Sequence, residues 1–170
     1  MNDVLFIFGL PGAGKSYVAT ILNTSFGYAI HNGDEDLPKI MKKALIARED
    51  ITDEMRSEFT NAMILHIQQL RRTHPKLAVH QTLIKEHMRE ALQKAFPDAR
   101  FIFVVCDEQL RENRYQKREY FNLGLAYLRK MSAVFDQPSL QHVRINNSKQ
   151  GPEALKKALN FLLSPLDIES

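Results

Sequence analysis

The octapeptide Gly9-Leu10-Pro11-Gly12-Ala13-Gly14-Lys15-Ser16 constrains this chain more than any other stretch. Ahead of it, Asp3 to Phe8 is a β-branched and aromatic run without helical period, which predicts a buried strand. Behind it, Lys15 to Asn23 carries Val18, Ala19, Ile21 and Leu22, which predicts a helix. A strand, a glycine-rich turn matching G-x-x-x-x-G-K-[ST] and a helix together make a P-loop. Its glycines let successive backbone N–H groups converge on phosphate oxygens at a helix N-terminus whose dipole favours negative charge. Gly9, Gly12, Ala13, Gly14, Lys15, Ser16 and Tyr17 are therefore the expected nucleotide cradle. The Lys15 ammonium is expected to reach the β- and γ-phosphates, and the Ser16 hydroxyl to ligate Mg2+ beside ATP.

The rest of the chain alternates strands with helices. Strands are predicted at Tyr28–His31, Leu77–Gln81, Arg100–Val105 and His142–Ile145. Asn32-Gly33-Asp34 reads as a turn. Helices are predicted at Leu37–Ala47, from Thr52 to about Arg72, at Ile84–Ala95, from Asp107 to Gln116, at Leu123–Phe135 and from Pro152 to Leu163. Met55, Phe59, Met63, Ile67 and Leu70 recur every three or four residues along the second of these. Thr52 suits its N-cap, and Arg71-Arg72 suit its last turn. The basic and aromatic segment Lys117–Phe121 interrupts the helices before the last strand. The expected fold class is α/β: a three-layer P-loop NTPase fold with a mostly parallel five-stranded sheet flanked by helices, and a short lid. One domain over residues 1–170 is expected, with the lid at roughly 114–135 and acceptor-binding helices at roughly 35–72.

Composition excludes classes and names none. At 170 residues, 44% hydrophobic and 25% charged, the chain is an ordinary soluble globular sequence. A chain of this size buries roughly two thirds of its unfolded surface and needs no staples. Cys106 is the one cysteine, so no intramolecular disulfide forms, which suits a reducing, cytoplasmic location. The apolar run Val4 to Leu10 is too short for a bilayer, and no basic segment precedes it, so neither membrane nor secretory signal is expected. The net charge of +3 suits phosphate-bearing ligands as well as nucleic acid. No N-K-x-D guanine motif occurs, and an AAA-type motor needs more chain for its sensor regions; both points favour a compact kinase.

Further residues carry a resemblance. Gly33-Asp34, with Asp34 nineteen residues after Lys15, resembles the gluconate kinase family, relatives of shikimate kinase. Ile51-Thr52-Asp53-Glu54-Met55-Arg56 is similar to that family's P-L-x-D-x-D-R, and Thr82-Leu83-Ile84-Lys85 through Arg89-Glu90 to its S-A-L-K…Y-R-D. Arg114 and Arg118 stand where the family has lid arginines, Tyr120-Phe121 near its His-Phe, and Asp136-Gln137-Pro138 resembles its Glu-x-Pro. The chain departs from the pattern too. Leu37-Pro38 replaces the L-H of G-D-x-L-H, Met55 the second acid, and Lys130-Met131 the lid's S-Q, and no tryptophan is present. Asp34-Glu35-Asp36 is similar instead to the D-x-D of shikimate kinases.

The resemblance implies ATP-dependent phosphoryl transfer to a small hydroxylated, acidic metabolite, gluconate or shikimate kinase-like. Lys15, Asp34 and Arg118 would be catalytic. Asp34 would accept the acceptor's proton or hold Mg2+ through water, against the plain reading of a turn residue. Asp34, Arg56, Lys85 and Arg89 would bind the acceptor, against the plain reading of solvated helix surface. Arg118, with Lys117, would close on the transferring phosphate, and Arg114 would stack on adenine. Asp36 shares Asp34's work or caps a helix, Asp107 reads as an N-cap, His80 orients the acceptor or serves structure, and Cys106 is a strand-end thiol. The six histidines and single cysteine are scattered in sequence and predict no metal-ligand cluster. A nucleoside or nucleotide kinase, or a P-loop protein acting on RNA ends or in regulation, remains the alternative. Nucleic acid is otherwise not an expected partner, and the protein is expected as a monomer or homodimer.

Overall fold

The computed structural model describes residues 3–148 and 151–164. Five strands form one sheet: β1 (Asp3–Phe8), β2 (Ala29–Asn32), β3 (Lys76–His80), β4 (Arg100–Val105) and β5 (Val143–Asn146). Their order is β2-β3-β1-β4-β5. Every pairing is parallel, with Val4 against Leu77 and Leu5 against Arg100 on the two sides of β1. Seven helices accompany them: α1 (Lys15–Phe26), α2 (Lys39–Ile46), α3 (Asp53–Leu70), α4 (Glu86–Ala95), α5 (Glu108–Gln116), α6 (Leu125–Val134) and α7 (Pro152–Leu163).

Strand periodicity sorts the core into two layers. Successive side chains leave opposite faces of a strand. Val4, Phe6 and Phe8 join Leu77, Val79, Phe101 and Phe103 on one face, where Phe59, Met63 and Ile67 of α3 and Met88 and Leu92 of α4 cover them. Leu5 and Ile7 join Ala78, Ile102 and Val104 on the other, under Val18 and Leu22 of α1 and Leu155 and Leu159 of α7. Rings tie adjacent strands on the first face, with Phe6 stacked on Phe101 at 5.1 Å and Phe8 on Phe103 at 5.0 Å. Each such pair adds about 1 kcal/mol beyond the area it buries. This is the expected three-layer sheet.

Boundaries moved where a local rule intervened. Pro38 takes the N-cap of α2 and holds Leu37 extended, so that helix starts at Lys39. Thr52 caps α3 as expected, its hydroxyl accepting from the Met55 N–H at 3.1 Å. Arg71 is already the C-cap of α3, so the Arg71-Arg72 pair falls at and beyond the helix end rather than in its last turn. Asp107 stands at the N-cap of α5 without a side-chain cap bond. Instead its backbone N–H donates to the Ser148 hydroxyl at 2.8 Å.

Candidate active site

Because all strands run the same way, Phe8, Asn32, His80, Val105 and Asn146 end on one edge of the sheet, where an open α/β fold binds ligands. A cavity of about 1060 Å³ opens there between the P-loop and α2, α3 and α6. Gly12, Gly14, Lys15 and Ser16 line one end of it. Gly12 and Gly14 hold φ of 84° and 99°. A Cβ on Gly12 would stand 2.4 Å from the Arg111 carbonyl oxygen, and one on Gly14 2.1 Å from Asn147 Nδ2. Glycine is thus required both by conformation and by close packing.

The P-loop is braced from β5 and α5. Buried Asn147 donates to the Ala13 carbonyl at 3.1 Å. Arg114 donates to the Asn147 carbonyl at 3.1 Å and to that of Ala13 at 3.5 Å. Lys15 folds over the loop, its Nζ donating to Gly9 O at 2.8 Å and Leu10 O at 3.1 Å. Burial foremost, then Arg118 and Arg111 against the opposing charge of Asp34, pushes its ammonium down to about 7. Carbonyls alone do not hold the full charge, so the loop suits an added polyanion.

Asp34 follows β2 in a 3-10 turn, Gly33–Asp36. Asn32 Oδ1 accepts from its N–H at 3.0 Å, and Gln81 Nε2 donates to its carboxylate at 2.8 Å. Arg118 lies 3.9 Å from the same carboxylate. Three sequence-chosen residues, Lys15, Asp34 and Arg118, therefore meet along one cavity wall. Arg118 does so from beyond α5, which ends at Gln116, so it does not share a helix face with Arg114. His80 lines the same wall, and burial followed by the Lys15 charge pushes its imidazole down to about 4, leaving it neutral.

Arg56 and Lys85 line the cavity with partners already in place. Arg56 pairs with Asp53 at 3.0 Å and Lys85 with Asp136 at 3.3 Å. Arg89 is a correction to the sequence expectation. Its side chain is 0% exposed and is not among the cavity-lining residues. It donates to the carbonyls of Leu83 at 2.9 Å and Asp136 at 2.5 Å, pairs with Glu86 at 2.5 Å, and lies over the rings of Phe8 and Phe135. Such an arginine ties α4 to the loop after α6; it does not meet an acceptor. Tyr17 is half exposed on α1 and its side chain is likewise not among those lining the cavity, and Ala13 contributes through its carbonyl.

Asp36 does neither job expected of it. Its carboxylate accepts from His31 Nε2 at 2.6 Å and His66 Nδ1 at 2.6 Å. The structure thus gathers histidines that the sequence scatters. Sequence reasoning also missed Gln81, Asn147 and Tyr127. The first two stand just past strand ends, so the strand-end rule that favoured Asp34 and His80 would have found them. Tyr127 lines the cavity from α6, and burial pushes its phenol up to about 12, so it stays a hydrogen-bond donor.

With this geometry described, comparison with known proteins is direct. Residues 5–124 match the family described as AAA domain, from β1 to the loop ahead of α6. The chain belongs to that family. The match covers the P-loop core and stops ahead of α6. The thermoresistant gluconokinase of Escherichia coli (strain K12) is 24% identical over 118 residues, 69% of this chain and 67% of its own. Among solved structures, a sugar kinase from Janibacter sp. HTCC2649 superposes with a TM-score of 0.82 at 17% identity, covering 96% of this chain and 95% of that one. A gluconokinase from Sinorhizobium meliloti 1021 gives 0.72 at 19% identity, with coverages of 95% and 98%. The fold is that of P-loop kinases, and a nucleotide-binding P-loop phosphotransferase agrees with all three relatives. No helix among the described residues is long and apolar enough to cross a membrane.

Proposed function

We propose that this AAA-domain family member is an ATP-dependent kinase that phosphorylates a hydroxyl of a small metabolite. The observation carrying this reading is the convergence of Lys15, Asp34, Arg118 and His80 on one wall of a 1060 Å³ cavity beside the P-loop. Backbone N–H groups of the loop hold the phosphates, and Lys15 regains its full charge against them. Asp34, fixed by Gln81, accepts the acceptor hydroxyl's proton and aims its oxygen at the γ-phosphorus. Arg118 and Lys15 offset the charge spread over the transferring group. Ser16 and Asp34 offer hydroxyl and carboxylate oxygens, a hard donor set that suits magnesium. That ion would supply charge neutralisation between the β- and γ-phosphates.

Arg56, Lys85 and Tyr127 reach the acceptor end of the cavity and suit a polyhydroxyl or acidic acceptor, as the gluconokinase relative supports. Exchanging Asp53 or Asp136 for an acceptor carboxylate keeps each cation paired. The segment from Arg114 to Phe135, with Arg118 and Tyr127 lining the cavity, acts as the lid and keeps water from the γ-phosphate. The test incubates the protein with Mg·ATP and a panel of sugar acids, shikimate and nucleosides while ADP is followed. One acceptor is expected to raise ADP release well above the acceptor-free rate. No stimulation across the panel would sink the reading, and selective stimulation by nucleosides would replace it with a nucleoside kinase.

A further inference from the structure

The geometry points to a second, separate ligand site: a divalent transition-metal site, of the kind zinc fills, made by His31, Asp36 and His66. His31 is the last residue but one of β2, Asp36 ends the 3-10 turn, and His66 lies on α3, thirty residues further on. The two imidazoles meet edge to face with centroids 4.6 Å apart. Their nitrogens and an Asp36 oxygen all lie within 4.8 Å of one another. Tetrahedral zinc at about 2.0–2.1 Å from N and O ligands sets those ligands roughly 3.3 Å apart. The two N–O separations of 2.6 Å must therefore open by some tenths of an ångström. His66 can give, because its side chain is 39% exposed, whereas His31 and Asp36 are each 4% exposed and hold the rigid half of the site.

The protons balance. In the hydrogen-bonded arrangement each imidazole presents an N–H to Asp36. Binding a metal at His31 Nε2 needs that proton on Nδ1, which faces the Glu35 carboxylate at 3.7 Å. A carboxylate behind a ligating imidazole is the usual outer-shell partner and fixes the required tautomer. His66, ligating through Nδ1, carries its proton on the exposed Nε2. Each imidazole thus carries its proton on the far nitrogen and offers the near one to the metal. Two nitrogens and one oxygen suit zinc, cobalt or nickel and disfavour magnesium, which takes oxygen donors. The open side of His66 leaves a fourth position for water.

None of the three residues lines the nucleotide cavity, so this ion is distinct from any magnesium beside the phosphates. It would fasten α3, which carries Arg56, to the turn that carries Asp34. Metal binding here is thus a clamp on the acceptor side of the pocket.

The test uses chelator-treated protein with no nucleotide present, titrated with Zn2+ and separately with Co2+, so it is independent of the kinase reading. One equivalent is expected to bind, Co2+ giving the intense visible bands of a four- or five-coordinate nitrogen–oxygen site. Zn2+ at a hundredfold excess over its dissociation constant should raise Tm by about 5 °C or more. His66→Gln, at a half-exposed position, should fold normally and lose both signals, while His74→Gln, at a surface histidine, should keep them. Equal binding by His66→Gln and the parent protein, or no binding by either, overturns the proposal and leaves the cluster a hydrogen-bonded brace.

Discussion

Two ends of one cavity place residues at positive φ, and they do it with different residues. At the phosphate end the residues are Gly9, Gly12 and Gly14, for which the conformation is free. At the acceptor end they are Arg48, Leu83 and Phe121, with φ of 57°, 47° and 56°. Each costs about 1–2 kcal/mol relative to an ordinary helical or extended backbone. The phosphate end needs bare backbone brought close to a ligand, and any side chain would obstruct it. The acceptor end needs side chains delivered into the cavity, and the surrounding packing carries the strain. A position held against its backbone preference, when it faces a cavity, signals a site whose shape is imposed.

The largest expected effect breaks the phosphate end. Lys15→Met keeps the loop's backbone but removes the charge that meets the transferring group. Acceptor-dependent ADP release should fall at least about 10²–10³-fold, with Tm little changed. Retained activity would refute the assigned site. Behind the cavity wall, outside its lining, the matching test is Arg89→Ala. A solvated or ligand-binding arginine would be removed at little cost to stability. Removing the buried Arg89 instead leaves Glu86 without its cation and the Leu83 and Asp136 carbonyls without their donor, so the loss should be about 3–5 kcal/mol in denaturant unfolding. Lys85→Ala should do the reverse, raising the KM for the acceptor while leaving stability nearly intact.

Arg89 also shows what a sequence can and cannot disclose. The strand, P-loop and first helix were legible because their determinants are contiguous and local: an apolar run, glycines at fixed spacing, a lysine and a serine. Asp34 was picked out by its spacing from that loop, and Arg118 by the family resemblance. Arg89 was misassigned because α4's periodicity and the family pattern give its position but not its neighbours. Phe8 and Phe135, between which it lies, are far from it in the chain. The His31–Asp36–His66 cluster was hidden for the same reason. It joins the last residues of β2 and the turn after them to the C-terminal half of α3, and no local spacing marks that meeting. Gln81 and Asn147 were passed over by type, since amides look like ordinary turn residues, although their places just past strand ends mark them.

A smaller effect sharpens the phosphate end. The Lys15 ammonium stands at about 7 in the free protein against 10.5 for an ordinary lysine. A bound triphosphate favours the charged form, so its pKa rises in the complex. Above pH 7 the complex then holds a proton that the free protein lacks. Nucleotide affinity, measured without magnesium, should be flat below about pH 7 and weaken by up to tenfold per pH unit above it. Calorimetry in two buffers of different ionisation heat should show close to one proton taken up at pH 8. No uptake there would place the lysine's charge elsewhere than on the phosphates.

The smallest effect addresses the strained end. Arg48 is exposed, so replacing it leaves no core cavity, and its guanidinium approaches Gly124 at the start of α6. Arg48→Gly removes a left-handed penalty of about 1–2 kcal/mol. Glycine's greater freedom in the unfolded chain returns about 0.5–1 kcal/mol of that. The balance favours the variant by about 0.5 kcal/mol, a rise in Tm of roughly 1–2 °C for a chain of this length. Leu83→Gly relieves the same strain but empties a site that is 1% exposed. A buried leucine is worth about 2–5 kcal/mol, so there packing wins and stability falls. If Arg48 earns its strain by serving the acceptor end, Arg48→Gly should be more stable and yet show a higher KM for the acceptor with an unchanged KM for ATP. Equal KM values for both substrates would make the residue a lid contact only, and the comparison between the two ends would then rest on Leu83 and Phe121.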